Sequence, residues 1–145
     1  MIYVGGDKHG YKAIEHVSDF LVSQKIEFIN LGVQNENEDI KLEDLIPKII
    51  SEILKDKENK AILSCGTGVG IEIGANKFAG IRAVLATNEK IAEWSRTYDD
   101  CNVLCLVGWN TEKAKVEKIV DTWLKSNYDG NIDRLEMIKK FDSWQ

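Results

Sequence analysis

Cys65 and Thr67 stand two residues apart at the start of a glycine-rich stretch, Cys65-Gly66-Thr67-Gly68-Val69-Gly70, which follows an apolar run and precedes a helical pattern. A thiol and a hydroxyl so placed admit three readings. The cysteine is a small buried hydrophobe beside a tight turn, the loop is a phosphate or nucleotide cradle, or the thiol is reactive and sits beside an anion hole. The dinucleotide pattern needs G-x-G-x-x-G after the first strand and an acidic residue about 20 positions further on. Here the spacing is G-x-G-x-G and the loop follows the third apolar run. No Gly-Lys-Ser/Thr is present, so the Walker A pattern fails outright.

On the reactive reading, the dipole and free N–H groups of a helix N-terminus favour a thiolate. Consecutive N–H groups of a glycine loop also form a nest for an anion. A thiolate can attack a carbonyl or remove a proton from carbon. The two histidines, His9 and His16, form no legible partnership with Cys65, which disfavours a cysteine hydrolase. Removing a proton next to a carbonyl needs a base on one side and donors for the developing enediolate oxygen on the other. Cys65, Thr67 and the N–H groups of residues 66–70 offer both within six residues, an arrangement suited to aldose–ketose isomerisation.

These groups need a scaffold, and the chain alternates accordingly. Apolar runs at 1–5, 26–32, 60–66, 80–87 and 102–108 read as strands. Helices are expected at 11–24, 44–56, 69–77, 88–98, 111–126 and 132–141. Ile14, Val17, Phe20 and Leu21 line one face of the first helix. Pro47, the only proline, is expected in the first turn of the second helix, where a missing N–H does no harm. Strands separated by single helices imply right-handed crossovers and a parallel, doubly wound sheet. The expected fold is one Rossmann-like α/β domain over residues 1–145, a three-layer sandwich with five parallel strands and a C-terminal helix. Ligands bind such sheets beyond the strands' C-terminal ends. Candidates are therefore Gly5–Gly10, Cys65–Gly70 and Thr87–Asn88.

Composition narrows the partners. A chain of 145 residues buries roughly 70% of its unfolded surface on folding. Its net charge of −5 argues against nucleic acid as a main partner. No stretch approaches the ~20 apolar residues of a membrane span, and MIYVGGD turns polar too soon for a signal peptide. Three cysteines cannot all pair, and Cys101 and Cys105 have no metal-ligand spacing. Reduced thiols in a cytoplasmic protein are the simplest expectation.

The segments SCGTGVG and ANKFAGIRAV (64–84), NVL (102–104) and VDTWL…YDG (120–130) resemble the ribose-5-phosphate isomerase B and galactose-6-phosphate isomerase family. The opening GGDKHG (5–10) is similar to that family's strand-end signature. The resemblance covers nearly the whole chain. It implies a sugar-phosphate isomerase that needs no metal or cofactor, assembled as a homodimer or a dimer of dimers with active sites shared between subunits. In that light Cys65 matches the base that moves a proton between C1 and C2, and Thr67 the hydroxyl that polarises the substrate oxygens. Gly66, Gly68, Val69 and Gly70 match the enediolate cradle, and Asp7 a carboxylate that binds sugar hydroxyls.

The departures from the family concern substrate recognition. Tyr98-Asp99 stand where the family carries a His-Asn pair that helps open the sugar ring. A phenol with a pKa near 10 is a poor acid or base at neutral pH. Trp109, Ile132 and Glu136 occupy positions of phosphate-binding arginines, with Arg134 between the last two. Lys8 replaces a histidine, and His9 lies beside it. The expected phosphate contacts are thus Lys8, His9 and Arg134. Asp7 and His9 have a second reading as caps of the following helix, and Tyr98 and Trp109 as dimer packing or sugar stacking. Glu72 is expected to be exposed, Asn76 and Lys77 to support the loop, and Cys101 and Cys105 to lie in the core. Two functions remain open: an isomerase with altered substrate recognition, or a non-catalytic sugar-binding relative or subunit of a hetero-oligomer. The missing histidine favours short or open-chain substrates such as tetrose phosphates, other than or besides ribose 5-phosphate.

Overall fold

The computed structural model describes residues 1–144. In chain order the elements are β1 (Ile2–Gly6), α1 (Tyr11–Ser23), β2 (Phe28–Asn30), α2 (Leu42–Ile53), β3 (Lys60–Cys65) and α3 (Val69–Ala75). β4 (Ala83–Leu85), α4 (Glu89–Asp99), β5 (Val103–Val107), α5 (Lys113–Lys125) and α6 (Ile132–Asp142) follow. All neighbouring strands pair in parallel, in the order β2-β1-β3-β5-β4.

The side-chain alternation of each strand explains the three layers. Ala61, Leu63 and Cys65 of β3 face Leu45, Ile49 and Ile50 of α2 and Ile71 of α3. Ile62 faces the other way, into a core with Ile14 and Val17 of α1 and Ile119, Val120 and Trp123 of α5. A strand buried on both faces reads as a continuous apolar run, and β3 does. α2 presents Leu45, Ile46, Ile49, Ile50 and Ile53 to the sheet, each burial contributing about 1.5–3 kcal/mol. α3 is the weak element, with seven residues and only Ile71 and Ala75 buried. A helix so short has little stability of its own.

Two expected strands prove shorter. β2 and β4 each hold three residues because both lie at a sheet edge and have one partner strand. Pro47 is also not in the first turn. α2 starts at Leu42, so the proline stands in the helix interior. It is tolerated because Pro47 and Glu43, whose carbonyl loses the helical bond, both face water. Among the described residues no helix is long and apolar enough to cross a membrane.

The chain moves from β1 outward to β2, then returns past β1 to β3. The connections leaving β1 and β3 therefore diverge over opposite faces. The crevice between their C-terminal ends is the position where sheets of this kind bind ligands.

Candidate active site

Cys65 ends β3 with 5% of its surface exposed, its carbonyl accepting from Gly108 N at 2.9 Å. The Gly66 carbonyl accepts from Trp109 N at 3.0 Å. Gly68 is the N-cap of α3 at φ 78°, a left-handed conformation that favours glycine. A Cβ there would also lie 2.5 Å from the Leu85 side chain. Of the three loop glycines it alone needs a positive φ. Thr67 is exposed, and its Oγ1 accepts from Val69 N at 3.1 Å, leaving the O–H to donate outward. The N–H groups of Gly66, Thr67 and Gly68 have no acceptor among the described residues. Donors were expected from Gly66 through Gly70, but the Val69 N–H is taken up by Thr67 Oγ1.

The loop after β1 meets this one closely. A Cβ on Gly10 would stand 2.0 Å from the Ser64 carbonyl oxygen, so no side chain fits between the two. Asp7 Oδ1 accepts from His9 N and Gly10 N, both at 2.9 Å, and so shapes the entry to α1. His9 is not the cap. Asp7 Oδ2 has no partner among the described residues and is available to a hydroxyl. Lys8 is exposed, and its backbone N–H donates to Asp39 at 3.3 Å, while its ammonium is in no ion pair among the described residues. His9 meets Trp109 edge-on, ring centres 5.5 Å apart. The Trp109 indole lies against Gly66, where a Cβ would come within 2.4 Å of its ring. Asp7, Lys8, His9, Gly66, Thr67 and Trp109 thus gather at one end of the sheet.

Tyr98, Asp99 and Arg134 do not join them. α4 starts beyond the C-terminal end of β4 and runs back, so Tyr98 and Asp99 lie where β5 begins. The Arg134 guanidinium stands 4.9 Å from the Tyr98 ring centre and pairs with Asp129. The Asn131 N–H, followed by Arg134, holds the Asp129 carboxyl below the ordinary aspartate range. Asp99 also borders a cavity of about 300 Å³ between α6 and the start of β4.

Sequence reasoning missed the supports. Glu72 is half-buried rather than exposed, and its Oε1 accepts from Leu85 N at 2.8 Å. The Asn76 amide accepts from Ala83 N at 2.8 Å and donates to Ala83 O at 2.9 Å. Asn76 holds β4 directly and reaches the glycine loop only through that strand. Asp100, left-handed at φ 47°, pairs with both Arg96 and Arg82 and locks the corner after Tyr98-Asp99. Asp100 in a row of two aspartates was the one visible signal. Cys101 and Cys105 are core, as expected. Burial pushes the Cys101 thiol up to about 12, with help from Asp99, and burial also raises Cys105.

A strand-end cysteine at the switch point, followed by a loop with unengaged N–H donors and a hydroxyl, suits proton transfer beside a carbonyl. The relatives of the chain make it an aldose–ketose isomerase, an intramolecular oxidoreductase. The chain belongs to the ribose/galactose isomerase family, whose model matches residues 2–140. It is 34% identical over 129 residues to ribose-5-phosphate isomerase B of Escherichia coli K12, covering 89% of this chain and 86% of that one. It is 29% identical over 140 residues to a 4-deoxy-4-sulfo-D-erythrose isomerase of Clostridium sp. MSTE9, covering 95% and 88%. The crystal structure of a ribose 5-phosphate isomerase from Thermotoga maritima superposes with a TM-score of 0.91 at 32% identity, covering 98% of this chain and 97% of that one.

Proposed function

We propose that this isomerase interconverts an aldose phosphate and its ketose through a cis-enediolate, with Cys65 as the base and no metal. The thiolate takes the proton from the carbon beside the carbonyl and returns it to the neighbouring carbon. The negative charge that develops on oxygen falls to the Thr67 hydroxyl and the N–H groups of Gly66, Thr67 and Gly68. A single such donor is worth about 10²–10³ in rate. Asp7 Oδ2 takes sugar hydroxyls, Lys8 and His9 take the phosphate, and Trp109 forms the wall. The row of unengaged N–H groups beside Cys65 carries this reading.

The working unit is a homodimer in the cytoplasm, with Tyr98, Asp99 and Arg134 of a second copy closing each site. Supporting this is the apolar surface around those residues: Trp94 and Tyr98 on α4 and Ile132, Leu135, Met137 and Phe141 on α6 are all exposed. Such a surface suits burial against another chain. The names of the E. coli and Clostridium relatives span a phosphorylated pentose and a sulfonated tetrose, so the substrate here is a short or open-chain sugar phosphate, other than or besides ribose 5-phosphate.

The hetero-oligomer reading has one observation in its favour. Arg134 is already paired with Asp129, which reduces its charge toward a phosphate and leaves room for a related chain to supply another arginine. A panel of phosphorylated and free three- to six-carbon sugars decides between the two. Isomerisation of any of them by the purified chain alone supports the homodimer. Activity seen only after a related chain is added supports the alternative.

A further inference from the structure

We infer that Glu72 is a positioning residue for the Cys65 loop, acting together with Asn76 through the exposed edge of β4. The inference rests on the isomerase reading for its catalytic consequence, and on geometry for the rest.

β4 is an edge strand, and alternate residues turn their backbone groups away from β5. An unpaired edge needs cover. Here the cover comes from side chains one helical turn apart. Asn76 holds both backbone groups of Ala83, at 2.8 and 2.9 Å, and Glu72 holds Leu85 N at 2.8 Å. α3 thus lies along β4 as a substitute for a sixth strand.

The consequence reaches the loop through Leu85. Its N–H is the Glu72 partner, and its side chain is the wall against which Gly68 rests. Ile71 and Ala75 are the only buried residues of α3, and its glycines Gly70 and Gly74 rest on Leu42 and Ile46 of α2, so on the β4 side the Glu72 and Asn76 hydrogen bonds fix how the helix is rolled. Loss of those bonds would let the helix roll and carry the N–H groups of Gly66, Thr67 and Gly68 away from the enediolate. Glu72 directs its carboxylate to the strand, so its task is to accept a hydrogen bond and not a substrate proton. An amide oxygen can do the same.

The test compares Glu72→Gln with Glu72→Leu in the isomerisation of ribose 5-phosphate, or of whichever panel sugar the wild type turns over fastest, alongside hydrogen exchange of the peptide spanning residues 66–70. Glu72→Gln is expected to keep kcat within about threefold and native exchange. Glu72→Leu should lower kcat about ten- to hundredfold, as expected for misplacement on the ångström scale, with KM little changed and exchange in 66–70 faster. Wild-type kcat per folded Glu72→Leu molecule, or unchanged exchange, overturns the inference. So does a Glu72→Gln enzyme as impaired as Glu72→Leu, because the carboxylate would then serve the chemistry itself. If Glu72→Leu does not fold, Glu72→Ser, too short to reach Leu85, takes its place. A wild type inactive on every sugar of the panel would count against the isomerase reading, and the exchange comparison would still decide this one.

Discussion

The guanidinium of Arg134 stands 4.9 Å from the ring centre of Tyr98, at the opposite end of the sheet from Cys65. One chain cannot bring this pair to its own thiol, and the proposed dimer would have a second copy supply it. Mixing tests the arrangement. Cys65→Ala and Arg134→Ala are each expected to be inactive, yet a refolded equal mixture should recover about a quarter of wild-type activity. Half the dimers are then mixed, and each holds one intact site. No recovery would mean that the sites are not shared.

Gly66 and Trp109 form a second testable pair. The indole occupies the space where a side chain on Gly66 would go. Gly66→Ala is expected to cost about 1–3 kcal/mol of stability, the usual effect of overpacking. Adding Trp109→Ala should restore much of that loss, because the two changes share one space. Denaturant titration of the single and double variants checks the coupling. Strictly additive losses would place the clash elsewhere.

The buried thiols set an alkaline limit on stability. Burial raises Cys101 from 9.0 to about 12 and lifts Cys105 as well. The folded state therefore favours the neutral thiols, and their contribution is complete below the unfolded value near 9. It is lost as pH rises from there toward 12, since only the unfolded chain then releases these protons readily. A Cys101→Ala, Cys105→Ala variant should show a shallower fall of unfolding free energy between pH 9 and 11. An identical slope would remove both thiols from the account.

What was legible in the sequence follows from how local each signal is. The strands and the Cys65 loop could be read because burial on both faces and glycine spacing are written into consecutive residues. The lengths of β2 and β4 could not, because an edge strand ends where its single neighbour stops pairing. Pro47 was placed a turn too early, since nothing in the sequence marks Lys41 as the residue before the helix. Glu72 looked like an exposed helical carboxylate, because its partner is a backbone N–H and backbone donors leave no trace in composition. The Tyr98–Arg134 contact depends on how α6 docks against α4. The resemblance to the family located the chemistry, while the replaced residues, Trp109 among them, left the substrate open.

If Cys65 is the base, solvent hydrogen enters the substrate only through its thiol. In deuterium oxide, the wild-type protein should incorporate deuterium at C1 or C2 of ribose 5-phosphate or of a better substrate from the panel. Cys65→Ala should keep the native circular dichroism spectrum and incorporate none above background. Exchange by Cys65→Ala at the wild-type rate would contradict the account.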